Sequence, residues 1–245
     1  MPRVTFRFYE ELNDFLPAHR KKVDFSVPFK GKRSIKDMIE SLGVPHAEID
    51  LILVNGRSVD FTYIVKEGDR VSVYPVFESL NIQEPTRLRK MPLRRTRFIA
   101  DVNLADIARL MRLLGFDVYF QPNLSERQII DISLQEHRII LTRSKKLLKF
   151  KTVTHGVFVR RGDKERQIRD ILDRLDIRDQ ARPFSRCLRC NAPLKRVAKD
   201  TVLHRVPARS RSFCDEFFVC QSCDRVYWNG THVIRMRQVV ARILA

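Results

Sequence analysis

The sequence predicts a multidomain chain: a small α+β domain, then an α/β domain with a mainly parallel sheet, then a module built on cysteine pairs. Three observations predict it. The first is a step in charge. Residues 1–80 hold 12 Lys+Arg against 12 Asp+Glu, so the rest of the 245-residue chain carries the whole formal net charge of +18. The second is hydrophobic patterning. Strand patterns surround one helical pattern before the step, and strands alternate with helices after it. The third is the pair of motifs Cys187-Leu-Arg-Cys190 and Cys220-Gln-Ser-Cys223. The expected divisions are 1–80, a basic linker 81–96, 97–180 and 181–245. A chain with 44% hydrophobic and 31% charged residues can bury a core, which excludes general disorder. No apolar run approaches the roughly 18 residues of a membrane helix. Arg7 and Glu10 interrupt the first residues, so no signal-peptide block is read there. A soluble, cytoplasmic protein without a membrane partner is expected.

In the neutral region, Val4-Thr-Phe-Arg-Phe-Tyr and Val23 to Phe29 alternate as strands, with Lys30-Gly-Lys as a turn. Ser34-Ile-Lys-Asp opens a helix as a capping box, and Ile35, Met38, Ile39 and Leu42 form its apolar face. Gly43 stops it. Leu51-Ile-Leu-Val is a strand, Asn55-Gly56 a hairpin turn, and Arg70 to Phe77 the strand that closes the sheet. This order, with Val54-Asn-Gly-Arg and Val65-Lys-Glu-Gly-Asp-Arg-Val-Ser-Val-Tyr-Pro, resembles the ubiquitin-like β-grasp fold and its small sulfur carriers. Those act through a free C-terminal Gly-Gly, which has no counterpart after this strand. A docking or packing module is expected instead, one that could dock a protein partner.

After the step, Arg97-Phe-Ile-Ala reads as a buried strand ending in Asp101. Asn103 reads as the cap of a helix carrying Leu104, Ile107, Ala108, Met111 and Leu114, stopped by Gly115. Val118-Tyr-Phe is a short strand, Ser125-Glu-Arg-Gln a capping box, and Arg138 to Thr142 a strand. Ser144 caps a short helix. Val157 to Arg160 is a strand, and Asp163 caps a helix with Ile168, Ile171, Leu172 and Leu175. Alternation of this kind predicts a parallel sheet with helices on both faces and function at the C-terminal strand ends. Asp101, Glu126, Thr142, Ser144 and Asp163 fall there.

Three basic runs follow the step. Residues 86–97 hold six basic residues and no acid, 143–169 hold ten against Asp163 and Glu165, and 182–211 hold nine against Asp200. Such surfaces hold phosphate backbones by releasing counterions. The candidate nucleic-acid contacts are Arg94, Arg95, Arg97, Arg143, Lys145, Lys146, Lys149, Arg160 and Arg161. Acids within a basic surround suit Mg²⁺ or Mn²⁺, which takes oxygen ligands and assists displacement at phosphorus. An acid ending a buried strand costs desolvation unless it is used, so Asp101 leads. Glu126 and Asp163 also suit their helix starts, and Asp106 reads as a first-turn acid only.

Each CxxC turn presents two thiolates to one tetrahedral ion. Cys187, Cys190, Cys220 and Cys223 are therefore expected to close a structural zinc site, a zinc ribbon with a long intervening loop. Cys214 reads as a packed thiol, and His204 and His232 as non-ligands. Tyr227-Trp228 beside Arg225 suits either base stacking or packing on the knuckle.

Several stretches together resemble the Mut-seven C-terminal RNase family, a PIN-like nuclease domain with a zinc ribbon, some of whose members carry a ubiquitin-like domain in front. They are Phe98-Ile-Ala-Asp-Val-Asn-Leu, Ala108 to Asp117, Arg138 to Arg143, Val153-Thr-His-Gly156, Pro183 to Asn191 and Cys223 to His232. The resemblance implies a PIN-like fold, an RNA substrate and a divalent-metal site. The family's acids fall on Asp101, Glu126 and Asp163 as catalytic residues, with Asp101 and Glu126 holding the metal. The acid that usually follows Thr-Arg is Ser144 here. The leading expectation is a metal-dependent ribonuclease. The alternative, favoured by Ser144 and the charge, is a degenerate PIN-like protein that grips RNA, a ribosome or another ribonucleoprotein without cutting.

Overall fold

A computed structural model describes residues 1–75 and 96–245. In the first stretch, strand β1 (Arg3–Phe8) buries Val4, Phe6 and Phe8 on one face. β1 pairs antiparallel with β2 (Phe25–Pro28). Helix α1 (Ile35–Ser41) begins where Ser34 Oγ accepts from the Asp37 N–H at 3.1 Å. β3 (Ile49–Val54) and β4 (Arg57–Ser58) form a hairpin, with Asn55 and Gly56 both at positive φ, as the tight turn requires. β5 (Arg70–Pro75) lies parallel to β1 and antiparallel to β3, giving the order β2-β1-β5-β3-β4. Ile35, Met38 and Ile39 of α1 enter the core beneath this mixed sheet. Residues 76–95 lie outside the description. That range includes Val76 and Phe77 of the expected last strand, nearly all of the expected linker, and Arg94 and Arg95.

In the second stretch, β6 (Arg97–Ala100) runs parallel to both its neighbours, β7 (Asp117–Tyr119) and β8 (Ile139–Thr142). Phe98, Ile99 and Ala100 are fully buried, as a strand covered on both faces must be. Helix α2 (Ala105–Leu113) links β6 to β7, and α3 (Glu126–Glu136) links β7 to β8. α3 starts with the expected capping box: the Gln128 N–H donates to Ser125 Oγ, and Gln128 Oε1 accepts from the Ser125 N–H. α4 (Lys145–Leu148) is capped by Ser144, whose Oγ accepts from Leu147 N–H at 3.2 Å. β9 is Gly156–Phe158, so Val159 and Arg160 fall beyond the strand expected there. α5 (Lys164–Arg174) is capped by Asp163.

The last stretch is an antiparallel sheet of β10 (Leu194–Val197), β11 (Phe217–Cys220) and β12 (Val226–Trp228). Between β10 and β11 lie α6 (Lys199–Val202) and α7 (Ala208–Phe213), which account for the long loop. α8 (Thr231–Leu244) follows. The chain forms two compact units. One joins the N-terminal stretch to Ser144–Phe158, and the other joins Thr96–Arg143 to Val159–Ala245. Among the described residues, no helix is long and apolar enough to cross a membrane.

Candidate active site and metal centre

Asp101 sits where β6 ends, buried at 5% exposure. It, and not Asn103, caps the following turn. Its Oδ1 accepts from the Asn103 N–H at 2.8 Å. The other oxygen, Oδ2, accepts from Thr142 Oγ1 at 2.5 Å and from the Arg143 N–H at 2.9 Å, at the end of the adjacent strand β8. A carboxylate is favoured over an amide here because both oxygens face donors. Three donors occupy three of its roughly four lone-pair sites. Arg143 also has a buried Nε with no hydrogen-bond partner among the described residues.

The other predicted site residues are placed as follows. Glu126 is half-buried in the first turn of α3. Asp163 is exposed, and its Oδ1 accepts from the Arg166 N–H at 2.9 Å. Asp106 is exposed and pairs with Lys164 at 2.5 Å, which holds its carboxyl below the usual range. Asp101, Glu126 and Asp163 do not form a group of three whose ligand atoms lie within 4.8 Å of one another. Of the basic candidates, Arg97 and Arg143 are half-buried, while Lys145, Lys146 and Arg161 are exposed. Arg160 pairs with Asp170 at 3.3 Å. Two of the lysines have contacts of their own. Lys149 Nζ donates to Glu40 O at 2.7 Å, and Lys145 Nζ lies 5.0 Å from the centre of the Phe15 ring.

The four cysteines do converge. The sulfurs of Cys187, Cys190, Cys220 and Cys223 all lie within 4.8 Å of one another, so they could hold a metal ion such as zinc. Their electrostatics fit a cation. Burial pushes the Cys187 thiol up. Tyr227 Oη at 3.1 Å and the Cys190 and Arg189 N–H groups outweigh burial and bring it down to about 6. Cys223 is pushed up to about 12 by burial and the neighbouring sulfurs. Four packed thiols cannot all ionise alone, and a divalent cation removes that conflict. Tyr227 thus packs on the knuckle, as one of its two sequence readings expects. Cys214 is buried with Val202, Val206 and Phe217. His204 and His232 are exposed and outside the sulfur cluster.

Sequence reasoning missed the network that holds this module to the parallel sheet. Arg112 of α2 is 4% exposed. Its guanidinium donates to Val118 O at 2.9 Å and, within the first CxxC turn, to Arg189 O at 2.8 Å and Leu188 O at 3.3 Å. Burial lowers its pKa, and the Cys187 and Cys190 sulfurs oppose that shift. Asp117 accepts from Arg138 at 2.7 Å and from Asn191 Nδ2 at 2.8 Å, and it lies 3.5 Å from Arg186. The available signal was Arg112's position four residues after Ala108, on the apolar face of α2.

A family model described as the Mut7-C RNAse domain matches residues 96–240. The chain belongs to the Mut7-C RNAse domain family. A second model, Mut7-C ubiquitin, matches residues 1–81, so the Mut7-C RNAse domain is preceded here by a ubiquitin-like domain. No curated protein matches the chain. Among solved structures, the crystal structure of H. volcanii small archaeal modifier protein 1 aligns at 15% identity. The alignment covers 31% of this chain and 100% of that chain, with a TM-score of 0.26.

Proposed function

We propose that this Mut7-C protein is a divalent-metal-dependent ribonuclease of PIN-like fold that hydrolyses RNA phosphodiester bonds. The observation that supports this reading best is Asp101, a buried carboxylate at the C-terminal end of the central parallel strand, with one lone-pair site to spare. Asp101 and Glu126 would hold Mg²⁺ or Mn²⁺. A cation there supplies charge neutralisation at phosphorus and a more acidic water. The donors on Asp101 fix its rotamer. Asp163 stands in the exposed turn after β9 as the remaining acid. Arg143 and Arg161 hold the phosphate backbone. A water oxygen bonds to phosphorus, the bond from phosphorus to the leaving ribose oxygen breaks, and that oxygen takes the proton. The four cysteines hold a structural zinc, and the protein works on RNA in the cytoplasm. The expected limits 1–80, 97–180 and 181–245 are kept as the domain proposal, with 181–245 as the zinc ribbon.

A second reading is a degenerate member that grips RNA or a ribonucleoprotein without cutting. Specific observations favour it: the acids are not gathered as a set of three, and Ser144, at the position of a usual acid, is spent capping α4. One experiment separates the two. End-labelled single-stranded and structured RNA is incubated with the zinc-loaded chain in Mg²⁺, in Mn²⁺ and without either. Metal-dependent cutting that falls at least 100-fold in Glu126→Gln is expected. Asp101→Asn is the poorer variant, because an amide NH₂ would face donors and disturb the fold. Tight, salt-sensitive binding with no cutting in any metal would replace the first reading with the second.

A further inference from the structure

Residues 182–245 carry 13 Lys+Arg against 4 Asp+Glu, half of the chain's net charge of +18. Within this module, α7 is fixed from its flanks. Val206 before it and Cys214 after it are buried with Val202 and Phe217, and Arg211 Nε donates to Val206 O at 2.8 Å. The helix itself faces outward: Ala208, Arg209, Arg211, Ser212 and Phe213 are all exposed. Phe213 is 84% exposed, although the small core lies one residue away and takes Cys214 instead. Arg209 and Phe213 stand four residues apart, so they share one helix face. Among the described residues, no hydrogen bond or ion pair occupies the Arg209 side chain.

A hydrated aromatic ring beside a free guanidinium, in a module this basic, fits one class of ligand. The ring offers a flat face for a base, and the guanidinium offers donors for the adjoining phosphate. A protein partner would have to be strongly acidic to match this charge. Duplex RNA satisfies the charge but keeps its base faces stacked. We propose that the outer face of α7 is a docking surface for single-stranded RNA, with Phe213 stacking on a base and Arg209 holding a neighbouring phosphate. The proposal rests on RNA as the ligand of the ribonuclease reading and adds a place where that RNA is held.

The test is fluorescence anisotropy with the full zinc-loaded chain, without added Mg²⁺ or Mn²⁺, using a labelled mixed-sequence single strand of RNA and the same sequence as a duplex. Phe213→Ala is expected to weaken single-strand binding about tenfold and to leave duplex binding within about twofold. Phe213→Trp should bind as wild type or tighter. Arg209→Ala should weaken both ligands and reduce the single-strand salt slope by about 0.7. Because both side chains are exposed, wild-type melting and metal content are expected and are checked first. Equal affinity of Phe213→Ala and wild type overturns the proposal. Full rescue by Phe213→Leu also overturns it, since apolar contact without a ring would then suffice, as in protein docking. A wild-type chain that ignores the single strand overturns it as well, and RNA cleavage by the same preparation would leave the ribonuclease reading standing. Cleavage is read separately from this binding, so the two readings fail separately.

Discussion

Asp117 shows how much one buried side chain settles. Burial pushes its carboxyl up, but Arg138 at 2.7 Å, Asn191 at 2.8 Å and Arg186 at 3.5 Å outweigh burial and hold it below the usual carboxylate range. The unfolded chain therefore binds the proton at a higher pH than the folded one. Stability from this group is fully present above the ordinary Asp value of about 4 and is lost as pH falls through the lower folded value. Asp117→Asn leaves Arg138, 8% exposed, buried without this partner, which costs about 3 kcal/mol near pH 7. Urea midpoints between pH 3 and pH 7 check this. The gap between wild type and variant should close as pH falls below about 4. A gap that stays constant to pH 3 would remove Asp117 from the acid limb. Its role was not legible in the sequence, because its partners come from two distant stretches of chain, around 138 and 186–191. Asp101 was legible as a strand-end acid, yet its capping of the next turn was assigned to Asn103. Both residues are good caps, and only the β6–β8 geometry turns the Asp101 carboxylate onto those N–H groups.

Local chemistry decided the elements that were read well. The Ser125–Gln128 capping box, the Ser34 cap, the Asn55-Gly56 turn and the two CxxC turns each depend on residues within four positions of one another. Long-range approaches left no such trace, and Gly115 is the clearest case. In sequence it is a helix stop, and its φ of +92° agrees. The structure adds a second demand. The segment leading to Cys187 packs onto the end of α2, where the Arg182 N–H donates to Leu114 O at 2.8 Å and the Phe184 N–H to Leu113 O at 2.9 Å. A Cβ on Gly115 would stand 2.1 Å from Arg182 O. The obstacle is backbone, so no rotamer relieves it. Gly115→Ala is expected to cost about 3 kcal/mol and to loosen the first CxxC turn. Thermal melting reads the first effect, and faster zinc loss to a colorimetric chelator reads the second. A variant with wild-type values for both would mean that residues 182–185 can shift freely.

At the scale of the whole molecule, the charge step separates a neutral ubiquitin-like region from a basic one, and the family matches at 1–81 and 96–240 follow the same division. Packing does not follow it. Ser144–Phe158 lies inside the Mut7-C RNAse match but forms one compact unit with the N-terminal stretch. No periodicity announces this, since the segment reads as an ordinary short helix and strand. The tie is polar and apolar together. His46, 6% exposed, places Nδ1 2.6 Å from Glu40 Oε1 and Nε2 2.8 Å from Val153 O. Glu48 accepts from the Phe158 N–H, and the Phe158 ring packs 5.5 Å from that of Phe15. The ubiquitin-like domain therefore acts as a clamp on the segment that carries Ser144 and Thr154-His155-Gly156. His46→Ala opens a cavity in this clamp and strips Val153 O and Glu40 of a partner, at a cost of about 3 kcal/mol. In hydrogen exchange of the full chain, amides of 145–158 should then exchange at least tenfold faster, while those of β6 keep wild-type protection. Unchanged protection across 145–158 would show that the segment is held without the ubiquitin-like domain, and the clamp would have to be abandoned.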